Sequence, residues 1–210
     1  MNLVLLKIML GLGIIGHAIN LYCDYILSVF PNGKLAFANF KDFYDVDKMR
    51  NLLKGVNEKT PMRSSILGTF ALVLEALGYF AITIHVYELS HVLGIIMFIS
   101  IVIFIVVGSS HHVICGISEW VYIKLGRTDE AHNTMLSLYN GAPITKLCYL
   151  AYITFIITLC IAIITGYAGV SLWMLIFTVL PIFILLAPFR IIGTLHISAM
   201  LSMLAWLIVI

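Results

Sequence analysis

Three histidines fall in stretches otherwise apolar enough for a membrane, each with polar companions at helical spacing. His17, Asn20 and Asp24 follow i, i+3, i+7 and so share one helix face. Ser109, His112 and Glu119 share a second face, with His111 and Cys115 beside it. Arg190, Thr194 and His196 open a third apolar run, and Glu75 sits near the middle of a fourth. Ionisable side chains at membrane depth are costly and face a bundle interior or a wet cavity, so they mark a site. Three imidazoles from three helices, His17, His112 and His196, can hold a zinc ion with one position open for water. Asp24 then serves as general base or orients a ligand. Without a metal, the same inventory offers Ser109 as nucleophile, His112 as base and Asp24 as orienter. Side chains three apart on one helix, however, seldom meet in geometry suited to attack. Asn20, Arg63, Glu75 and Arg190 remain as candidates for holding a polar substrate.

Helical geometry narrows these choices. His111 and His112 point about 100° apart, so only one can enter a narrow pocket, and His112 aligns with Ser109. Thr194 and His196 lie on nearly opposite faces. Thr194, Ser198 and Ser202 are spaced like a small-residue helix contact, which leaves His196 for the pocket. Each candidate also has a structural role open to it: Asp24, Arg63 and Arg190 as ion pairs anchoring helix ends, His17 as a hydrogen-bond partner of Glu75. His85, Glu88 and His91 resemble a metal clip, but they fall in a tight turn between two apolar runs and read as solvated turn residues.

The elements that must position these groups follow from composition. Apolar residues make up 62% of the 210 and charged residues only 10%, far from a soluble balance and typical of a membrane protein. Windows long enough to cross a bilayer occur at residues 3–24, 66–87, 92–114, 147–165, 168–187 and 191–210. Each is expected to be helical, because a lone backbone in lipid satisfies its hydrogen bonds only within itself. The chain thus reads as one all-α, polytopic bundle of about six spans, with Pro181 kinking the fifth. Lys7 before an apolar run, with Gly16-His17-Ala18 after it, has the layout of a signal peptide, yet the run continues past Ala18 and favours a retained span.

Charge supplies the orientation. Eleven of the twelve Lys and Arg residues fall in the first, third and fifth connections, and only Lys7 is left for the other side. The odd connections are therefore expected in the cytoplasm and both termini outside a cell membrane. Apolar residues at helical spacing in the long first connection (Leu35, Phe37, Phe40, Phe43, Val46, Met49, Leu52, Leu53, Val56) predict an amphipathic helix at the bilayer surface. In the third, Thr128-Asp129-Glu130 is a helix start, with Ala131, Met135, Leu138 and Tyr139 on one side. Such segments either pack under helix ends or form a lid over the polar pocket. A net charge of +2 excludes a nucleic-acid binder, and the four cysteines, all in or beside apolar stretches, imply no disulfide framework.

Gly16-His17, Cys23-Asp24-Tyr25, Pro61-Met62-Arg63-Ser64-Ser65 and His111-His112 together resemble a family of bacterial polytopic membrane proteins of unknown function. That resemblance implies a fold over most of the chain and singles out Asp24, Arg63 and His112 without naming an activity. The inventory of Ser, Asp and three His is also similar to that of the seven-helix ceramidase-type hydrolases. The chain departs from those in having one helix fewer and no histidines four apart on the last helix. The expected function is thus a hydrolase acting on a lipid or other amphiphile. The alternatives are a small proton-coupled carrier titrating Glu75 and His17, which needs paired chains since no repeat is visible, and a non-enzymatic ligand-binding or accessory protein.

Overall fold

The computed structural model describes residues 2–35, 37–141 and 143–210, and for 37–40 the backbone alone. Phe37 and Phe40, expected on the apolar side of the first connection, therefore lie outside the described side chains. Helix α1 (Leu3–Ile26) starts where the Asn2 side chain accepts a bond from the Val4 amide. Strands β1 (Val29–Phe30) and β2 (Gly33–Lys34) pair antiparallel, followed by a 3-10 helix (Phe37–Tyr44) and α2 (Val46–Leu52), capped by Asp45. The amphipathic helix expected over Leu35 to Val56 is broken in pieces because Asp45 caps a new start after the 3-10 helix and α2 ends at Leu52.

Helix α3 (Lys59–Leu89) and helix α4 (His91–Lys124) are separated only by Ser90, whose extended backbone ends one and whose hydroxyl caps the next. Then come α5 (Asp129–Gly141), α6 (Ile144–Ile164), a 3-10 turn (Leu172–Phe177), α7 (Val179–Leu186) continued by a 3-10 turn (Ala187–Phe189), and α8 (Thr194–Val209). The described chain is all-α apart from the hairpin, and four helical stretches are long and apolar enough to cross a membrane: α1, α3, α4 and the run of α5 and α6. The last two apolar stretches are shorter helices. Pro181 does not kink a continuous helix: it stands third in α7, in the first turn, where its missing N–H costs nothing.

Neighbouring helices run antiparallel. Gly13 meets Gly78 and Gly16 meets Ala71 between α1 and α3, while α4 packs between α3 and α6, and α8 lies along α1. The connections 27–58, 125–143 and 190–193 therefore share one end of the bundle, and the clustered cations gather there. Outward faces are apolar: Phe70, Val92, Ile99 and Val106 are all largely exposed, as lipid-facing residues would be.

At the cation-rich end the connections build a cap with its own core of Phe30, Phe43, Met49, Leu53, Tyr122, Ile123, Ala131 and Met135. Tyr122 and Ile123 come from α4, whose 34 residues span about 51 Å and outreach a hydrocarbon layer of about 30 Å. Arg127, at φ 59°, donates from Nε to the Leu53 carbonyl (2.9 Å) and from Nη2 to that of Val56 (2.8 Å). Arg50 pairs with Asp47 (2.9 Å) and with Asp129, and Lys124 with Glu58 (3.1 Å). Lys48 donates to Asp42 at 2.6 Å, and this bond holds its ammonium above the usual lysine range. Helix α5 begins at Thr128 as expected, its hydroxyl accepting from the Ala131 amide. Its buried side differs from the expected one: Leu138 points outward and His132 inward, where it donates from Nε2 to the Phe43 carbonyl at 3.0 Å.

Candidate functional site

The site begins with two glycines. A Cβ on Gly16 would lie 2.6 Å from both the Ala71 carbonyl oxygen and the Glu75 amide nitrogen, so only glycine lets α1 and α3 meet this closely. His17, the next residue, is thereby set against Glu75. Gly193 precedes α8 at φ 69°, and a side chain there would collide with Leu21, so the chain enters α8 tight against α1. His196, in the first turn of α8, then faces His17. The Thr194 hydroxyl bonds the Ile191 carbonyl just before the helix (2.5 Å) and that of Ser198 bonds the Thr194 carbonyl (2.8 Å), and Ser198 and Ser202 are buried. That is the small-residue packing face expected of this helix.

Three donor atoms converge. His17 Nδ1 is 3.0 Å from Glu75 Oε1 and 3.0 Å from His196 Nδ1, and His196 Nδ1 is 3.4 Å from Glu75 Oε1. His17 and Glu75 are buried, and His196 is 12% exposed. Among the described residues this trio is the group able to hold a metal ion. Behind it, Tyr79 Oη bonds His17 Nε2 at 2.9 Å and Tyr152 Oη at 2.6 Å. His196 Nε2 faces Asp24 Oδ2 at 3.6 Å. Asn20 donates from Nδ2 to Glu75 Oε1 at 2.7 Å.

The donor set fits a divalent metal. Ligands held at 2.0–2.2 Å around tetrahedral zinc lie about 3.3 Å from one another, close to the three separations seen here. Two imidazoles meeting Nδ1 to Nδ1 beside a carboxylate leave little room for two ring protons, whereas lone pairs directed at one cation satisfy all three atoms. Each ring would then carry its proton on Nε2, where Tyr79 and Asp24 stand ready to orient it. Moreover, Glu75 Oε2 and Asn20 Oδ1 are buried acceptors with no hydrogen-bond partner among the described residues. Two orphaned acceptors beside the trio are what a cation, or a water bound to it, would relieve.

The remaining sequence candidates divide. Asn20, Asp24 and Glu75 join the centre, as do His17 and His196. His112 is not one of the three converging donors; it lies over Gly68, where a Cβ would come within 2.7 Å of its Nδ1 and 3.2 Å of Asn20 Oδ1. It lines instead, with Asp24, a cavity of about 100 Å³ between the bundle and the cap. Ser109 is half-buried and forms no hydrogen bond to His112 or Asp24 among the described residues, and Arg63 and Arg190 are exposed away from the trio. His85 and His91, expected in a solvated turn, lie instead in the last turns of α3 and at the start of α4, and both are tied to backbone: His85 donates to the Ala168 carbonyl (3.0 Å) and His91 to that of Tyr87 (3.0 Å).

Tyr79 and Tyr152 escaped the sequence reading. Tyr79 carried a usable signal: it is one turn from Glu75 on the same face, and a buried tyrosine hydroxyl needs a polar partner. A family model described as a family of unknown function (DUF6796) matches residues 1–209. Neither the curated proteins nor the solved structures contain a match to the chain.

Proposed function

The chain belongs to that family of unknown function, so its activity is to be read from the site, and we propose a metal-dependent intramembrane hydrolase of a lipid or other amphiphile. In this reading the protein crosses a cell membrane six times, α7 with its flanking turns and α8 completing the four long spans. The cation-rich end faces the cytoplasm, both termini lie on the other side, and the cap sits at the headgroups. The asymmetry of the Lys and Arg residues supports the orientation. The observation that carries the chemical reading is the convergence of His17 Nδ1, His196 Nδ1 and Glu75 Oε1 within 3.4 Å, with a polar group behind each ring.

His17, His196 and Glu75 would hold a zinc ion, which would supply an acidified water and a Lewis acid for a carbonyl. The chain's own residues do the rest. Tyr79 accepts a hydrogen bond from the His17 Nε2–H and donates its own hydroxyl hydrogen to Tyr152, which fixes the ring and its tautomer. Asp24 faces His196 on one side and the cavity on the other, so its carboxylate can take a proton from a water entering from the cavity. Asn20 holds Glu75 in place, and His112 at the cavity wall can donate to a substrate oxygen.

The test is elemental analysis of the purified protein beside release of fatty acid from ester and amide lipids. One equivalent of zinc, with activity lost to a chelator and restored by the metal, is expected. Protein free of metal whose activity and stability ignore chelators sinks the reading. The hydrogen-bonded series Tyr152, Tyr79, His17, Glu75 favours a second reading, a proton-coupled carrier, since it could hand a proton across the bundle. In that case Glu75→Gln abolishes proton-driven uptake in vesicles.

A further inference from the structure

Beside the histidine–glutamate centre, the cavity is lined from the bundle by Asp24, His112, Cys115 and Glu119 and roofed from the cap by Phe43 and Tyr139. Glu119 plays no part in the proposed centre. It is 7% exposed, and its Oε2 is buried with no hydrogen-bond partner among the described residues. It stands one helical turn beyond Cys115 and two beyond His112 on the face that looks into the cavity. The lining therefore holds two carboxylates and no lysine or arginine. Three cations of the cap are engaged elsewhere: Lys124 on Glu58, Arg127 on two carbonyls, Arg50 on Asp47 and Asp129. His111, also at the wall, meets Thr145 Oγ1 at 2.9 Å.

A buried carboxylate oxygen with no donor is completed by a ligand that brings one, and two carboxylates favour a ligand that brings positive charge as well. The roof agrees. The rings of Phe43 and Tyr139 lie 5.0 Å apart, centroid to centroid, and aromatic faces attract organic cations. Leu27 and Leu35 add apolar surface to the wall, against which an alkyl chain can pack, and Ser28 also lines it.

We propose that this cavity receives the ammonium head of a single-chain cationic amphiphile, with Glu119 and Asp24 as counter-charges and Phe43 and Tyr139 as the aromatic roof. As the substrate class of the hydrolase, the proposal rests on the function argued above. As a binding site, it stands on the cavity alone.

The experiment titrates full-length protein, in an uncharged detergent, with dodecylamine, dodecanol and dodecanoate, following heat or intrinsic fluorescence. Dodecylamine is expected to saturate one site at least about tenfold more tightly than dodecanol, a difference of about 1.4 kcal/mol, with dodecanoate weakest. Glu119→Gln should bring amine and alcohol within about twofold of each other. Equal binding of amine and alcohol by the native chain, or a preference unchanged in Glu119→Gln, overturns the proposal. Should that variant not fold, Cys115 in the native chain decides. Dodecylamine, and not dodecanol, should slow its modification by a small thiosulfonate reagent, and equal rates count against the site. His17→Ala, which removes a donor of the metal trio but lines no part of the cavity, separates the two readings. Zinc lost with amine preference intact keeps this site, whereas zinc retained in that variant counts against the metal centre alone.

Discussion

The chain buries histidines in two regions and treats them differently. In the cap, His132 is buried among Tyr122, Met135 and Phe43, and its Nε2 proton goes to a backbone carbonyl. In the bundle, His17 and His196 turn their Nδ1 atoms toward each other and toward a carboxylate, with no carbonyl between them. A carbonyl can only accept, so the cap histidine is satisfied as a donor and serves packing. The bundle pair brings two ring nitrogens and a carboxylate to one point, a donor set that fits a cation. The two settings differ in the partner each ring meets and not in burial, since His132 and His17 are both buried.

The contrast can be broken at its strong end first. His17→Ala and His196→Ala should each abolish stoichiometric zinc and lipid hydrolysis, lowering metal affinity by more than about a hundredfold, since groups behind the ligands are already worth about 10–100-fold. Competition with a chromophoric chelator measures it, and native-like affinity in either variant ends the distinction. Tyr79→Phe removes the hydroxyl that orients His17 and is expected to weaken zinc by about 10–100-fold with the fold intact. His132→Phe should leave zinc untouched while loss of the hydrogen bond to the Phe43 carbonyl destabilises the cap by about 0.5–1.5 kcal/mol, read by denaturant titration in detergent. Loss of zinc in that variant would mean that cap and bundle histidines are not separable. Asp129→Asn removes an exposed partner of Arg50 and should cost about 0.2–1 kcal/mol, the smallest effect, fading further as salt is raised.

Much of the bundle was legible from periodicity. The first span was expected at residues 3–24 and is helical over Leu3–Ile26, and the expected 66–87 and 92–114 sit inside Lys59–Leu89 and His91–Lys124. The extra turns opening α3 are polar, and those closing α4 mix Ile117, Trp120, Val121 and Ile123 with Ser118, Glu119 and Lys124, so hydropathy did not extend the spans over them. The broken stretch before α8 was not legible, because a proline three residues into a short helix and one inside a long helix look alike in sequence. In the cap, Leu138 and His132 exchanged places relative to expectation, since hydrophobicity ranks leucine inward while the Phe43 carbonyl accepts from the buried imidazole.

The sequence by itself determined an all-α chain with membrane-length apolar runs, a cation-rich end, and one helix face carrying His17, Asn20 and Asp24, because these depend on composition and on 3.6 residues per turn. Which helices stand next to one another was decided only by the tertiary structure. Close packing at Gly16 and Gly193 puts α3 and α8 on either side of α1, while α4 turns toward α3 and α6. For that reason Glu75 of α3, and not His112 of α4, meets the two imidazoles: periodicity orders side chains around one helix, but contacts between helices depend on where glycine lets two backbones approach.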